Sequence, residues 1–168
     1  MFNIHEKVAY GTSGACIIEE IGRAPHDPSD LRVYYKLRPI HARGGDLIFS
    51  PVDQTRVPIR PLQSREELLS LLADVKSIEP VAVDNERQRR PIYREILSHC
   101  VPADCLRILR TVRERRAQCG KGKRRLSETD AEFEARALYC LASELAEALG
   151  IPLGEAEERI AAALVAAD

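Results

Sequence analysis

The spacing of hydrophobic positions changes once along the chain, close to residue 63. Before that point, short runs of branched and aromatic residues alternate with segments rich in Gly, Pro and Asp. This arrangement is typical of β-strands separated by turns. No stretch of helical spacing lies between the runs, so the pattern predicts a small, strongly bent barrel rather than a parallel sheet. The five predicted strands cover residues 7–10, 15–21, 32–38, 46–50 and 57–60.

From residue 64 onwards, hydrophobic residues recur every three or four positions, which is the spacing of one helix face. Ser64 and Glu67 are spaced as a capping box, in which each side chain bonds the backbone N–H of the other residue. Pro102 suits the first turn of a later helix. Gly150 ends a long helix that starts at Ser127, because glycine readily adopts the left-handed conformation of helix ends. The five predicted helices begin near residues 64, 87, 102, 127 and 155.

The two spacings predict an α+β fold. Residues 1–62 form a β-barrel domain, and residues 63–168 form a bundle of about five helices. The 168 residues are 45% hydrophobic and 30% charged, which is typical of soluble globular proteins. No apolar run approaches the roughly 18 residues that span a bilayer, and the N-terminus lacks the pattern of a secretory signal. We therefore expect no contact with a membrane.

The five cysteines give no sign of a metal centre or a disulfide framework. They are odd in number, form no CxxC pair and do not cluster with the four histidines. Structural zinc sites and disulfide scaffolds both need regular cysteine spacing. Free thiols persist in reducing compartments, so we expect a cytoplasmic protein without metal or cofactor.

The sequence gives little support for an enzyme. Two glycine-containing segments, residues 11–14 and 120–123, lack the spacing of a phosphate-binding P-loop. The sequence also offers no set of nucleophile, base and orienting group that could act together. We expect neither catalysis nor a small-molecule substrate.

The net charge of −1 conceals a strong separation of charge along the chain. Residues 84–125 contain 13 basic and 5 acidic side chains, whereas residues 126–168 contain 2 basic and 10 acidic ones. A basic block of this size is a candidate phosphate-binding surface. The acidic end is expected to form the outer face of the last two helices and to neutralise part of the basic block.

Arginine dominates the basic block, and its planar guanidinium suits bidentate contacts with phosphate. The candidates lie at the start of the second predicted helix and in the loop that follows the third. For Arg107, Arg110 and Arg113 of the third helix, two interpretations stay open: phosphate contact, or pairing with the acidic helices. The candidate DNA-binding residues are Arg87, Arg89, Arg90, Arg94, Lys121, Lys123, Arg124 and Arg125.

Several segments resemble, in order, the motifs of a known family. The opening MFNIHEKVAY resembles F-x-x-G-D-x-V-V-Y-P, and residues 34–37 and 50–53 resemble Y-Y-x-L and V-P-V-D. Residues 57–62 resemble V-G-[IL]-R-x-[LV], and residues 89–97 resemble R-x-x-x-Y-x-x-x-L. Residues 126–147 continue the series with L-S-x-x-E-x-x-x-x-x-A-x-x-x-L-x-x-E-L-A. Together they resemble the CarD/CdnL family of bacterial RNA polymerase-binding transcription regulators. The N-terminal part also resembles the polymerase-interacting domain of transcription-repair coupling factor.

The resemblance implies a Tudor-like β domain that binds the RNA polymerase β subunit, and a helical domain that contacts promoter DNA. Proteins of this kind stabilise the open complex and have no catalytic activity. The implied polymerase-binding residues are an edge strand at Leu47, Ile48 and Phe49, together with Arg23. Addition to an edge strand is physically reasonable, because main-chain hydrogen bonds then supply much of the affinity.

The sequence departs from the family pattern at one functional position. Many members carry a tryptophan just before the basic helix, where it inserts into the minor groove at the edge of the bubble. This chain contains no tryptophan, and Glu86 lies near that position. A carboxylate cannot replace base stacking as an apolar side chain does. The alternative function is therefore a protein–protein adaptor on RNA polymerase that has lost DNA contact.

Overall fold

The computed structural model describes residues 1–23, 27–53, 56–83, 85–120 and 125–168. In these ranges five strands are followed by five helices, which confirms the α+β fold. The strands form one antiparallel sheet in the order β4-β3-β2-β1-β5. They are β1 (Lys7–Tyr10), β2 (Ala15–Arg23), β3 (Val33–Pro39), β4 (Ile48–Pro51) and β5 (Ile59–Pro61).

A β-bulge in β2 decides which side chains fill the inside of the sheet. The pairing with β3 shifts between Ile18 and Glu20, so Glu19 is an extra residue. In a regular strand, residues three apart point to opposite faces. Because of the bulge, Ile18 and Ile21 both contact the same hydrophobic cluster. The buried members of that cluster are Val8, Cys16, Ile18, Tyr35 and Leu37.

The helical half contains the larger hydrophobic core. At its start, Ser64 and Glu67 exchange both hydrogen bonds of the predicted capping box. Gly150 has φ 66° and ends the longest helix, as its position predicts. The helices are α1 (Arg65–Ala73), α2 (Glu86–Ser98), α3 (Pro102–Gly120), α4 (Glu128–Leu149) and α5 (Leu153–Ala166).

Helix α4 packs directly against the turn between β1 and β2. The backbone N–H of Ala15 donates a hydrogen bond to Ser143 Oγ at 3.0 Å. Gly14 precedes it with φ 68°, and a Cβ atom on Gly14 would lie 2.3 Å from the same oxygen. Only glycine fits both the left-handed backbone and this close approach.

A buried ion pair also joins β5 to α4. Glu144 is 1% exposed, and Arg60 donates to both of its carboxylate oxygens, at 2.8 and 2.6 Å. The backbone N–H of Gln63 adds a third hydrogen bond at 2.6 Å. Burial lowers the pKa of Arg60, but the Glu144 carboxylate outweighs it and raises that pKa above its usual value. A polar junction between β5 and α4 thus lies next to the boundary at residues 62 and 63, which stays a prediction from sequence.

The expectation that the acidic end lies on the outer face is wrong for two of its members. Glu144 and Asp130 are both buried, and each accepts hydrogen bonds from an arginine. Burying a carboxylate is tolerated only where a cation and hydrogen bonds compensate for lost hydration. Asp130 and Glu144 therefore take part in tertiary packing.

The cysteines are all free, and four of the five are buried. Burial raises the pKa of Cys16 to about 12, so its thiol stays protonated at neutral pH. Throughout the described ranges, no three His, Cys, Asp or Glu side chains form a group that could hold a metal ion. In the same ranges no single helix could cross a membrane, although α4 and α5, bent by 112°, have sufficient length and hydropathy as a pair.

Candidate protein and nucleic-acid interfaces

Strand β4, predicted from the resemblance as an edge strand, lies at one edge of the sheet. Its sheet partner is β3, where Leu37 pairs with Ile48 and Lys36 with Phe49. Leu47 precedes the strand and is 39% exposed. An edge strand keeps one row of backbone groups outside the sheet, which makes it a template for another chain.

The candidate polymerase-binding side chains divide between the two faces of the sheet. Ile48 packs against the inner hydrophobic cluster, so its side chain faces inwards. Arg23, at the exposed end of β2, and Phe49 line one small cavity of about 120 Å³ on the other face. Lys36 lines the same cavity and lies 3.6 Å from the carboxylate of Glu20. The structure thus brings Arg23 and Phe49 together, although 26 residues of sequence separate them.

A charged cluster next to this cavity was missed by the sequence reasoning. Asp30 accepts hydrogen bonds from Arg32 Nη2 at 2.6 Å and from the Tyr34 hydroxyl at 2.7 Å. The Arg32 guanidinium and then the Tyr34 hydroxyl lower the pKa of Asp30 well below its usual range. The spacing of two residues between Asp30 and Arg32 is the sequence signal that could have indicated this ion pair. Tyr34 belongs both to this cluster and to the lining of the cavity.

On α2, three of the four candidate arginines share one face. Arg87, Arg90 and Arg94 follow each other at intervals of three and four residues, and all three are exposed. Arg90 pairs with Glu132 at 2.7 Å and lies 5.9 Å from the centre of the Phe133 ring. For the side chains of Arg87 and Arg94, no ionic partner exists among the residues that the structure describes. We call Arg87, Arg90 and Arg94 the α2 stripe.

Arg89 differs from the α2 stripe because it lies on the packed face of the helix. Its side chain is 12% exposed, and its Nη1 donates to Asp130 Oδ2 at 2.8 Å. Asp130 is 2% exposed and also accepts a hydrogen bond from the Tyr93 hydroxyl at 3.1 Å. Burial and the Asp130 charge raise the pKa of Tyr93 to about 12. Arg89 therefore holds α2 against α4.

The basic loop after α3 falls largely beyond what the structure describes. Lys121, Lys123 and Arg124 lie outside the described residues. Arg125 is described and exposed, two residues before the Ser127 cap of α4.

The arginines of α3 are all engaged by acceptors. Arg110 donates to the backbone carbonyls of Val75, Lys76 and Ile78. Of the two interpretations left open for this helix, these contacts favour internal pairing, although not always with the acidic end. The other partners are Asp104 for Arg107, Asp168 for Arg113, the Val83 carbonyl for Arg115 and Glu134 for Arg116.

Comparison with known proteins agrees with the β half of this description. Residues 2–63 match the family model described as the CarD-like/TRCF RID domain. The match covers the whole sheet and stops before α1. A search of the curated proteins found no match to the chain. A RID domain is a protein-interaction domain and not a catalytic one. The resemblance to a CarD-like or TRCF RID-containing protein is therefore confirmed for residues 2–63, which supports an RNA polymerase-interacting domain.

Proposed function

We propose that this chain is a non-enzymatic, cytoplasmic transcription regulator that binds the RNA polymerase β subunit and stabilises the promoter open complex. The observation that carries the proposal is the RID match over residues 2–63. In this proposal the sheet binds the polymerase, and the helical half contributes electrostatic contacts with promoter DNA.

The polymerase would add a strand to the β4 edge and contact the adjoining cavity. Main-chain pairing gives affinity without strict side-chain demands, and pockets beside the strand then give specificity. Arg23 and Phe49 supply a cation and an aromatic ring at the cavity. Arginine and aromatic residues are enriched among the side chains that dominate binding energy at interfaces.

A pull-down with the purified polymerase β subunit tests the first half of the proposal. We expect Arg23→Glu to weaken retention by about tenfold, the effect of losing one good charged contact. Arg65→Glu is the matched control, because it makes the same charge change at an exposed position on α1. If the β subunit does not retain the wild-type chain, the proposed function is wrong.

The DNA contacts would be made by the α2 stripe, together with Arg125 and the basic residues Lys121, Lys123 and Arg124. Each phosphate contact releases counterions and adds affinity that depends on salt but not on sequence. A variant carrying Lys121→Glu, Lys123→Glu, Arg124→Glu and Arg125→Glu should shorten the lifetime of the open complex, measured after addition of a competitor. The β-subunit pull-down should not change in this variant.

The adaptor function remains the alternative, and three observations favour it. The chain has no tryptophan, Glu86 begins α2, and the α3 arginines are engaged within the protein. An open-complex lifetime that the charge-reversed loop does not alter, together with normal binding to the β subunit, would select the adaptor.

A further inference from the structure

We propose that the cavity between α2, the end of α3 and the start of α4 binds a phosphoryl group. The cavity has a volume of about 550 Å³, and Arg89, Arg115 and Arg125 line it. They come from three separate parts of the chain. The proposal does not depend on polymerase binding by the sheet, and it concerns a concave site rather than the exposed α2 stripe.

Two of the three guanidinium groups have donor capacity beyond their known contacts. Arg89 uses Nη1 for Asp130, and Arg115 uses Nη2 for the Val83 carbonyl. Within the described ranges, the buried Nε atoms of both residues have no hydrogen-bond partner. A guanidinium carries five N–H donors, and buried donors are normally paired. The cavity wall therefore offers unused cationic donors beside the acceptor oxygens of Glu86, Gln118, Ser127 and Asp130.

The charge balance of the cavity favours an anion. Asp130 neutralises Arg89, whereas Arg115 and Arg125 lie beside no carboxylate within salt-bridge distance among the described residues. Glu86 lines the cavity and opposes them with a single negative charge. One net positive charge remains, and the donors come from three elements of the chain. A tetrahedral phosphoryl group, which offers oxygens in several directions, suits this arrangement better than a planar carboxylate.

Two sources present the same chemistry: a free phosphate compound and a phosphate of the DNA backbone. The test is isothermal titration calorimetry of the full chain with inorganic pyrophosphate, and separately with a short duplex DNA, at constant ionic strength. We expect saturable binding of at least one of the two. Competition between them would assign both to the cavity. Pyrophosphate binding that DNA does not compete with would assign it to a free phosphate compound.

Arg125→Gln is the principal variant, because Arg125 is exposed and its loss should not disturb the fold. It should weaken binding by about tenfold, as expected for a charged hydrogen-bonding partner. Arg65→Gln is the matched control and should bind as the wild type does. Glu86→Gln should bind more tightly, since it removes the opposing charge. The proposal is overturned if neither probe binds saturably, or if Arg125→Gln and Arg65→Gln behave alike. Neither result would bear on the β-subunit pull-down, so polymerase binding by the sheet and phosphoryl binding by the cavity can fail separately.

Discussion

Helices α2 and α3 are both rich in arginine, yet they use it differently. On α2 the packed face follows Arg89, Tyr93 and Leu97, each four residues apart, and the α2 stripe lies on another face. On α3 buried residues occupy a wider arc, and the arginines between them reach carboxylates or backbone carbonyls. Exposure alone does not make the charge of an arginine available, because exposed Arg90 and Arg116 both pair with a glutamate. Among the described exposed arginines of the two helices, the available charges are those of Arg87 and Arg94.

Internal pairing reduces the number of side chains in the basic block that can attract nucleic acid. Counting its 13 basic side chains overstates the positive surface, because the α3 arginines and Arg89 already have partners. A long-range attraction for nucleic acid depends on charge that is not neutralised nearby. In the described part of the block, the best candidates for that attraction are Arg87, Arg94 and Arg125, since Arg90 pairs with Glu132.

The largest expected effect concerns Arg89, the α2 arginine that lies on the packed face of the helix. Asp130→Ala removes the partner of Arg89 and of the Tyr93 hydroxyl, leaving a mostly buried cation uncompensated. We expect the free energy of unfolding to fall by about 3 kcal/mol. Urea denaturation measures it, and Glu132→Ala is the control because Glu132 pairs with exposed Arg90. The control should cost about 0.2–1 kcal/mol. Equal losses would contradict the distinction between the two faces.

The second-largest expected effect is on the salt dependence of DNA binding, for which variants of α2 and α3 are compared. Replacing Arg87 and Arg94 of the α2 stripe with glutamine should reduce the slope of log affinity for DNA against log salt by about 0.9 for each phosphate that the variant no longer neutralises. The same change at Arg113 and Arg116 should alter the slope much less, because their charges are neutralised internally. Fluorescence anisotropy over a salt series gives both slopes. Equal changes would mean that pairing on α3 does not withdraw charge from the DNA-facing surface.

The smallest effect belongs to the exposed pair between Arg113 of α3 and Asp168. The Arg113 guanidinium lowers the pKa of Asp168. A lowered pKa in the folded state stabilises the fold above the ordinary aspartate value of about 3.9, and that contribution is lost as the pH falls through the lowered pKa. Asp168→Asn should therefore give a slightly lower melting temperature than the wild type at pH 7. The difference should disappear in acid; a difference that grows there would contradict this assignment.

Local signals in the sequence predicted most of the fold. The capping box at Ser64 and the terminal glycine at Gly150 act within one helical turn, so their residues alone specify the helix ends. Strand ends depend on pairing across the sheet, and the predicted strand ends differ from the observed ones. The fourth predicted strand began at residue 46, but β4 begins at Ile48, opposite Leu37.

The candidate interfaces were predicted less completely, because their decisive contacts are distant in sequence. Arg60 and Glu144 are 84 residues apart, and Arg89 and Asp130 are 41 apart. No local sequence pattern indicates ion pairs between residues so far apart. The burial of Arg89 did have a signal, since Tyr93 and Leu97 follow it at intervals of four residues. Lys121, Lys123 and Arg124 remain predictions from sequence.

The junction of Gly14 with Ser143 and of Arg60 with Glu144 has a consequence for binding strength. It ties the sheet to α4 at two separate points, so the halves of the chain cannot swing freely about a flexible linker. Once the sheet is bound to a partner, a second contact made by the helices becomes an intramolecular event. Its strength is then governed by effective concentration, which is high when geometry matches and almost zero when it does not. A few weak phosphate contacts would suffice at a correctly placed promoter and would contribute nothing elsewhere.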